Sequence, residues 1–198
     1  MQIDKLSEGQ YFHIFNRGVN GEDIFKDERN YYYFLQQYQL YCSDVLETYA
    51  YVLLKNHFHM LVYVKETIEV VRKDGKGLYK PEASKQLSHF FNSYAQSVNK
   101  AYNRTGPLFE SPFERRLIDS DTYLTSVICY LHFNPQLHGF VAHFNDWKFS
   151  SYNSIVVNDN TWLASQKVIN WFGSNSQLEM AHLSLNENEG VPAKWMIE

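Results

Sequence analysis

The pattern of apolar and polar positions predicts alternating strands and helices over the first hundred residues. Three apolar runs are rich in β-branched and aromatic residues, which is typical of strands, and two longer segments repeat apolar residues at helical spacing. The predicted strands are residues 11–16, 45–54 and 57–64, and the predicted helices are residues 27–42 and 82–102. Only Lys55 and Asn56 separate the second strand from the third, so we expect a tight antiparallel hairpin there.

The rest of the chain completes a β-α-β-β-α-β-α order. Residues 65–81 read as a loop or lid, residues 113–118 as a fourth strand, and a helix is predicted to begin near Thr122. This order predicts an α+β ferredoxin-like sandwich, with one antiparallel sheet and helices against one face. We expect a main domain over residues 1–143. Residues 144–198 form a C-terminal tail whose helical segments, near 165–172 and 177–183, pack on that domain.

Composition and charge limit the classes of function that the protein can have. The 198 residues are 44% hydrophobic and 17% aromatic, as in a folded protein with one main core. A net charge of −4 argues against a protein held on nucleic acid mainly by a global positive field, although it permits local phosphate contacts. The two cysteines stand in no metal-binding spacing, and no export signal or membrane-spanning run is found. We therefore expect a cytoplasmic protein.

Two histidines on the third predicted strand are the most informative feature of the sequence. His57 and His59 are separated by one residue, so their side chains leave the strand on the same face, with Cβ atoms about 6.5–7 Å apart. Two neutral imidazoles at this spacing can bind one divalent cation together with a third ligand. A strand histidine is more often a hydrogen-bonded residue without metal, so the pair alone leaves both interpretations open.

The helix that begins near Thr122 offers partners for this pair. Its predicted core-facing positions are Leu124, Val127, Ile128 and Leu131. Tyr130 and Asn134 lie side by side on the flank of these positions, one turn apart. A tyrosine hydroxyl and an amide oxygen there could both face a metal ion on the sheet, an arrangement suited to phosphodiester cleavage by a tyrosine nucleophile. The spacing equally fits a tyrosine at the edge of the core.

Six motifs follow one another along the chain. They are Asn16-Arg17-Gly18, Asn56-His57-Phe58-His59-Met60-Leu61, Gly106-Pro107-Leu108-Phe109, Ser120-Asp121-Thr122-Tyr123-Leu124, Tyr130-Leu131-His132-Phe133-Asn134-Pro135 and Trp147-Lys148-Phe149-Ser150-Ser151-Tyr152. Their order resembles that of the IS200-like transposases, and more closely that of the single-tyrosine HUH nucleases associated with repetitive extragenic palindromes (REP). The resemblance spans residues 11–155. It implies a ferredoxin-like HUH fold that binds single-stranded DNA near a hairpin and cleaves it with Mg²⁺ or Mn²⁺.

The resemblance also implies roles for individual residues. His57 and His59 take the places of two metal ligands, and Asn134 takes the third. Tyr130 takes the place of the nucleophile, which forms a 5′-phosphotyrosine and releases a 3′-hydroxyl. The resemblance also suggests three candidate phosphate contacts, which are Arg17, Arg115 and Arg116. The resemblance to this subgroup favours a monomer, and a homodimer is the alternative. It also implies a location near the nucleoid.

Some positions depart from the family pattern. Residues 110–114 read Glu-Ser-Pro-Phe-Glu where basic residues are usual, and residues 136–139 lack the usual arginine. These changes bear on DNA affinity and target choice. Pro135 disfavours helical geometry at Asn134, so a kink is expected, and His132 or a water could then be the third ligand. The rival function is a non-catalytic protein that binds DNA hairpins by base stacking.

Overall fold

A computed structural model describes residues 4–71, 75–158 and 162–187. In chain order, the elements are β1 (Tyr11–Arg17), α1 (Glu28–Cys42), β2 (Leu46–Leu53), β3 (His57–Val64), β4 (Val70–Val71), β5 (Leu78–Tyr79), α2 (Ala83–Ala101), β6 (Glu114–Ile118), α3 (Asp121–Leu137), α4 (Tyr152–Val157), α5 (Ser165–Phe172) and α6 (Asn175–Glu187). Within these residues, no helix is both long enough and apolar enough to cross a membrane.

The four long strands form one antiparallel sheet in the order β2-β3-β1-β6. The central strands β3 and β1 are paired over seven residues, from Tyr11 opposite Tyr63 to Arg17 opposite His57. All five residues of β6 pair with the other edge of β1. The predicted α+β fold is thereby confirmed. The predicted loop over residues 65–81 also contains the hairpin of β4 and β5, whose strands of two residues are too short to produce a periodic pattern.

Helices cover both faces of the sheet. As predicted, α1 and α2 share one face, where Phe34 and Phe91 pack on Phe58 with ring centroids 5.0 and 5.7 Å apart. In contrast, α3 lies on the opposite face, where Tyr130 packs on His59. Helices cover both faces because β2 and β3 are apolar and almost entirely buried at consecutive positions, so side chains on both faces must be shielded from water.

The helices of the C-terminal segment pack beside α3 and against β2. The backbone N–H of Ala164 donates to the carbonyl of Thr48, and the ring of Trp171 stacks on Tyr49 at 4.7 Å. The predicted segment 165–172 coincides with α5, and the predicted segment 177–183 lies inside α6. The last part of the predicted tail, residues 188–198, lies outside the described residues.

A buried chain of hydrogen bonds ties α6 to α3 and β2. His182 Nδ1 donates to the carbonyl of Leu178 at 2.7 Å, which leaves its Nε2 as an acceptor for His132 Nδ1 at 2.8 Å. His132 Nε2 then accepts from the Ser151 hydroxyl at 2.9 Å, and this hydroxyl accepts from the backbone N–H of Tyr51. Each ring nitrogen in this series of hydrogen bonds is therefore assigned as a donor or an acceptor, and both imidazoles must be neutral.

Replacing His182 should destabilise the protein. In His182→Leu, the buried N–H of His132 loses its acceptor, so the free energy of unfolding should fall by about 1–3 kcal/mol in urea titrations at pH 7.5. The exposed His143→Leu change serves as the control and should leave that free energy unchanged. An equal loss in both variants would contradict the proposed role of the chain.

The same variant should change the pH dependence of stability. Burial lowers the pKa of His182 from 6.5 to about 4, so between these values the unfolded chain binds more protons than the folded one. This contribution to stability is present above pH 6.5 and is lost as the pH falls towards 4. His182→Leu should therefore show a shallower loss than the wild type when unfolding is measured across this range.

Candidate functional site

The two histidines of β3 face α3, as their spacing predicts. The ring centroids of His57 and His59 are 5.3 Å apart, and Phe58 between them faces the opposite side of the sheet. His59 is 2% exposed, whereas His57 is half-buried. Both contribute to the wall of a pocket of about 520 Å³ that opens to solvent. Ligands can therefore approach the pair from this pocket.

Helix α3 brings Asn134 and Tyr130 to these histidines. Asn134 Oδ1 lies 3.2 Å from His57 Nε2, and the ring of Tyr130 lies 5.7 Å from that of His59. The helix continues through Pro135 to Leu137, and the carbonyl of Asn134 accepts from the N–H of His138 at 3.1 Å. Asn134 therefore lies inside a helix that continues to Leu137, although Pro135 cannot donate a backbone hydrogen bond.

Polar atoms of His57, His59 and Asn134 are grouped beside this pocket. His57 Nδ1 lies 2.8 Å from Asn56 Oδ1, and its Nε2 lies 3.2 Å from Asn134 Oδ1. Nearby, His59 Nε2 and Asn134 Nδ2 are buried and make no hydrogen bond. Two imidazole nitrogens and one amide oxygen fit a divalent cation in their chemistry.

The amide of Asn134 is essential to this interpretation. In the described part of the chain, no three His, Cys, Asp or Glu side chains are grouped so that they could hold a metal ion. The alternative third ligand, His132, lies on another side of α3, where both of its nitrogens bond to His182 and Ser151. His132 therefore does not reach the pocket, which leaves Asn134 or a water as the predicted third ligand.

His13 is part of the site, and the sequence interpretation gave it no role. It lies on β1 beside β3, is fully buried, and its Nε2 is 3.0 Å from His59 Nδ1. Burial, and secondarily the charge of Arg116, lowers the pKa of His13 to about 3. Burial is also the main reason that the pKa of His59 lies well below its ordinary value. Both rings are thus neutral near pH 7, the form in which imidazole binds metals.

The structure brings two of the three predicted phosphate-binding arginines to the pocket. Arg17 and Arg116 both contribute to its wall. Arg115 does not, because neighbouring residues of a strand point to opposite faces. Its guanidinium instead donates to the carbonyl of Asp4 at 2.6 Å and packs on the ring of Phe113 at 4.8 Å.

Acidic and aromatic side chains share this pocket. Arg17 Nε forms an ion pair with Glu110 Oε1 at 3.0 Å, and Glu114 lies in the same wall. Phe15 stacks on the ring of His59 at 5.5 Å. Sequence reasoning assigned no partner to Arg17, although the acidic residues in the segment 110–114 are the signal that could have suggested one.

Gly18 fixes the backbone at the end of β1, next to Arg17. Its N–H donates to the carbonyl of Asn56 at 2.8 Å, just before the first histidine. A Cβ atom at Gly18 would lie 2.0 Å from the carbonyl oxygen of Glu22, so no other residue fits without a backbone shift. The Asn-Arg-Gly motif thereby joins the pocket wall to the histidine strand.

Comparisons with known proteins agree with the sequence resemblance. A Haemophilus influenzae protein assigned by name to the REP-associated tyrosine transposases is 27% identical over 123 residues, which cover 61% of this chain and 67% of that protein. A solved structure of a REP-associated tyrosine transposase bound to a REP hairpin matches the fold with a TM-score of 0.61 and 13% identity, over 79% of this chain and 85% of that one. No protein-family model matches the sequence.

Replacing Asn134 should cost little stability in the absence of metal. Its Nδ2 is buried without a hydrogen-bond partner and its Oδ1 has one long contact, 3.2 Å from His57 Nε2, so Asn134→Leu in EDTA should change the free energy of unfolding by less than about 0.5 kcal/mol or raise it. The matched control is Asn30→Leu, because Asn30 is also buried but accepts from two backbone N–H groups. That control should lose about 1–3 kcal/mol. A comparable loss in both variants would contradict this account.

Proposed function

The chain is a relative of the REP-associated tyrosine transposases, and we propose that it is a metal-dependent endonuclease or transposase that cuts single-stranded DNA near hairpins. The observation that carries the proposal is the grouping of the buried Asn134 with His57 and His59 at the wall of one pocket, with Tyr130 packed on the second histidine. All four side chains come from one chain, which supports a monomer as the acting unit. Such an activity would place the protein with the nucleoid.

The proposed metal is Mg²⁺ or Mn²⁺. His57 Nε2, His59 Nε2 and Asn134 Oδ1 would hold it, and the bound cation would polarise the scissile phosphate. The neutral state of His59, imposed mainly by burial, keeps its nitrogen available near pH 7. An amide oxygen and solvent on the pocket side suit these hard cations.

Tyr130 is the proposed nucleophile. Its hydroxyl oxygen forms a bond to phosphorus while the bond from phosphorus to the 3′ oxygen breaks, which leaves a 5′-phosphotyrosine and a 3′-hydroxyl. The phenol gives up its proton and the departing 3′ oxygen gains one, so the step is balanced. Tyr130 is only 2% exposed. Cleavage therefore requires its packing against the sheet to open when DNA binds.

The pocket offers few positive charges to the DNA. Arg17 and Arg116 are the proposed phosphate contacts, while Glu110 and Glu114 reduce the local positive potential. The related structure contains a REP hairpin, and we propose a hairpin substrate for this chain as well. Binding would then depend on the shape and the bases of the hairpin as well as on its charge.

The burial of Tyr130 also favours a second candidate function. A protein that binds DNA hairpins without cutting them would have no need to expose this hydroxyl. In that case, the aromatic side chains of the pocket wall, such as Phe15, would stack on bases. The grouping of His57, His59 and Asn134 favours the nuclease, because base stacking does not require it.

The nuclease predicts a covalent adduct that depends on Tyr130. The wild type, incubated with end-labelled hairpin oligonucleotides from its own genomic flanks and Mn²⁺, should give a labelled protein band on a denaturing gel. Tyr130→Phe should abolish that band but bind the hairpin with unchanged affinity on a native gel. Tyr33→Phe, on the opposite face of the sheet, should retain it.

Controls separate the possible explanations of this assay. EDTA, and the double change His57→Ala/His59→Ala, should each remove the metal-stimulated adduct. An adduct that survives in Tyr130→Phe would assign the nucleophile to another residue. Hairpins that bind with no adduct under any divalent metal would support the binding protein instead.

Removing the acidic partner of Arg17 should strengthen DNA binding. In Glu110→Gln, the guanidinium of Arg17 is released from its ion pair and one negative charge leaves the pocket, so the Kd for single-stranded DNA at low salt should fall about two- to fivefold. The control is Glu82→Gln, whose partner Lys85 lies outside this pocket. An unchanged or higher Kd for Glu110→Gln, measured by fluorescence anisotropy, would show that Arg17 does not contact phosphate.

A further inference from the structure

The contact between His13 and His59 joins two fully buried imidazoles on neighbouring strands. Their facing nitrogens, His13 Nε2 and His59 Nδ1, are 3.0 Å apart, and the ring planes differ by 33°. The register of the sheet places Phe15, not His13, directly opposite His59, so His13 reaches it diagonally. One of the two nitrogens must donate and the other must accept, since two neutral rings share one proton in this bond.

We infer that His13 is a positioning residue, which accepts a hydrogen bond from His59 Nδ1 and thereby holds His59 Nε2 deprotonated and aimed at the metal ion. The inference rests on the proposed function. Histidines that bind metals commonly donate their second ring N–H to a neighbouring acceptor, which fixes both the tautomer and the ring orientation. Here that acceptor is an imidazole rather than the usual carboxylate or carbonyl.

The place of His59 Nε2 in the site sets this direction of the hydrogen bond. His59 Nε2 is buried, makes no hydrogen bond, and lies on the ring edge away from His13. Each direction leaves one buried ring N–H without an acceptor, His13 Nδ1 in the inferred direction and His59 Nε2 in the reverse one, so this cost does not distinguish the two. Only the inferred direction leaves a lone pair on His59 Nε2, which can then bind a metal ion together with His57 Nε2 and Asn134 Oδ1.

A purely structural role accounts poorly for His13. Its Nδ1 is also buried and makes no hydrogen bond, so the ring is only half satisfied at this position. The rings of Phe15 and Tyr130 lie 5.0 and 6.3 Å from that of His13, so an apolar side chain would fit among them. A buried polar ring here is costly for folding, which is understandable if it serves His59.

Two variants of His13 and one control test the inference. His13→Leu removes the acceptor, whereas His13→Gln can restore it, because a glutamine oxygen can occupy nearly the position of the imidazole Nε2. Ile14→Val, at the next position of β1 with its side chain on the opposite face, controls for a general disturbance of the strand. All are studied as full-length protein.

The first readout is the affinity for Mn²⁺ by titration calorimetry. His13→Leu should bind Mn²⁺ about 10- to 100-fold more weakly than the wild type. His13→Gln should recover most of this loss, and Ile14→Val should bind as the wild type does. Equal Mn²⁺ affinity for His13→Leu and the wild type would overturn the inference, even if the variant were less stable.

The second readout needs no metal, so it separates the inference from the proposed function. Long-range ¹H–¹⁵N NMR of metal-free protein reports which nitrogen of His59 carries the proton. The wild type should show the proton on Nδ1, and His13→Leu should shift the population towards Nε2. A wild-type proton on Nε2 would overturn the inference. A wild type with the proton on Nδ1 but no Mn²⁺ binding would support the positioning of His59 and contradict the metal-dependent nuclease.

Discussion

The packing of α3 across β3 is the contact on which the site depends. Residues four apart on a helix are separated by about 6 Å along its axis, and residues two apart on a strand by about 6.6 Å. The two spacings nearly match, so Asn134 lies beside His57 while Tyr130 lies beside His59. A single helix-to-sheet contact therefore assembles both the candidate ligands and the candidate nucleophile. This geometry requires cover on both faces of the sheet.

Hydrogen bonds on the side away from the pocket hold α3 in place. There, His132 connects the helix to α6 through His182 and to the start of α4 through Ser151. On the sheet side, buried polar atoms of the site are left without hydrogen bonds. The first set of polar groups is fully satisfied and serves the fold, whereas the second costs stability, which the proposed metal ion would offset.

Much of this arrangement could be predicted from local patterns. Alternation along β3 placed both histidines on one face, and helical spacing placed Tyr130 beside Asn134. The separation of Arg115 from Arg116 follows from the same alternation. The role of His13 could not be predicted, because it depends on the pairing of β1 with β3 across more than forty residues of sequence. The position of His132 likewise depends on its hydrogen bond to α6, which is distant in sequence.

The central claim is that His57, His59 and Asn134 bind one divalent cation. Its most direct test is a crystal structure of the protein grown with Mn²⁺, with anomalous diffraction recorded near the manganese absorption edge. The account predicts one anomalous peak roughly 2.1 Å from His57 Nε2, His59 Nε2 and Asn134 Oδ1. A well-ordered pocket with no peak at saturating Mn²⁺, or a peak bound by other residues, would contradict it.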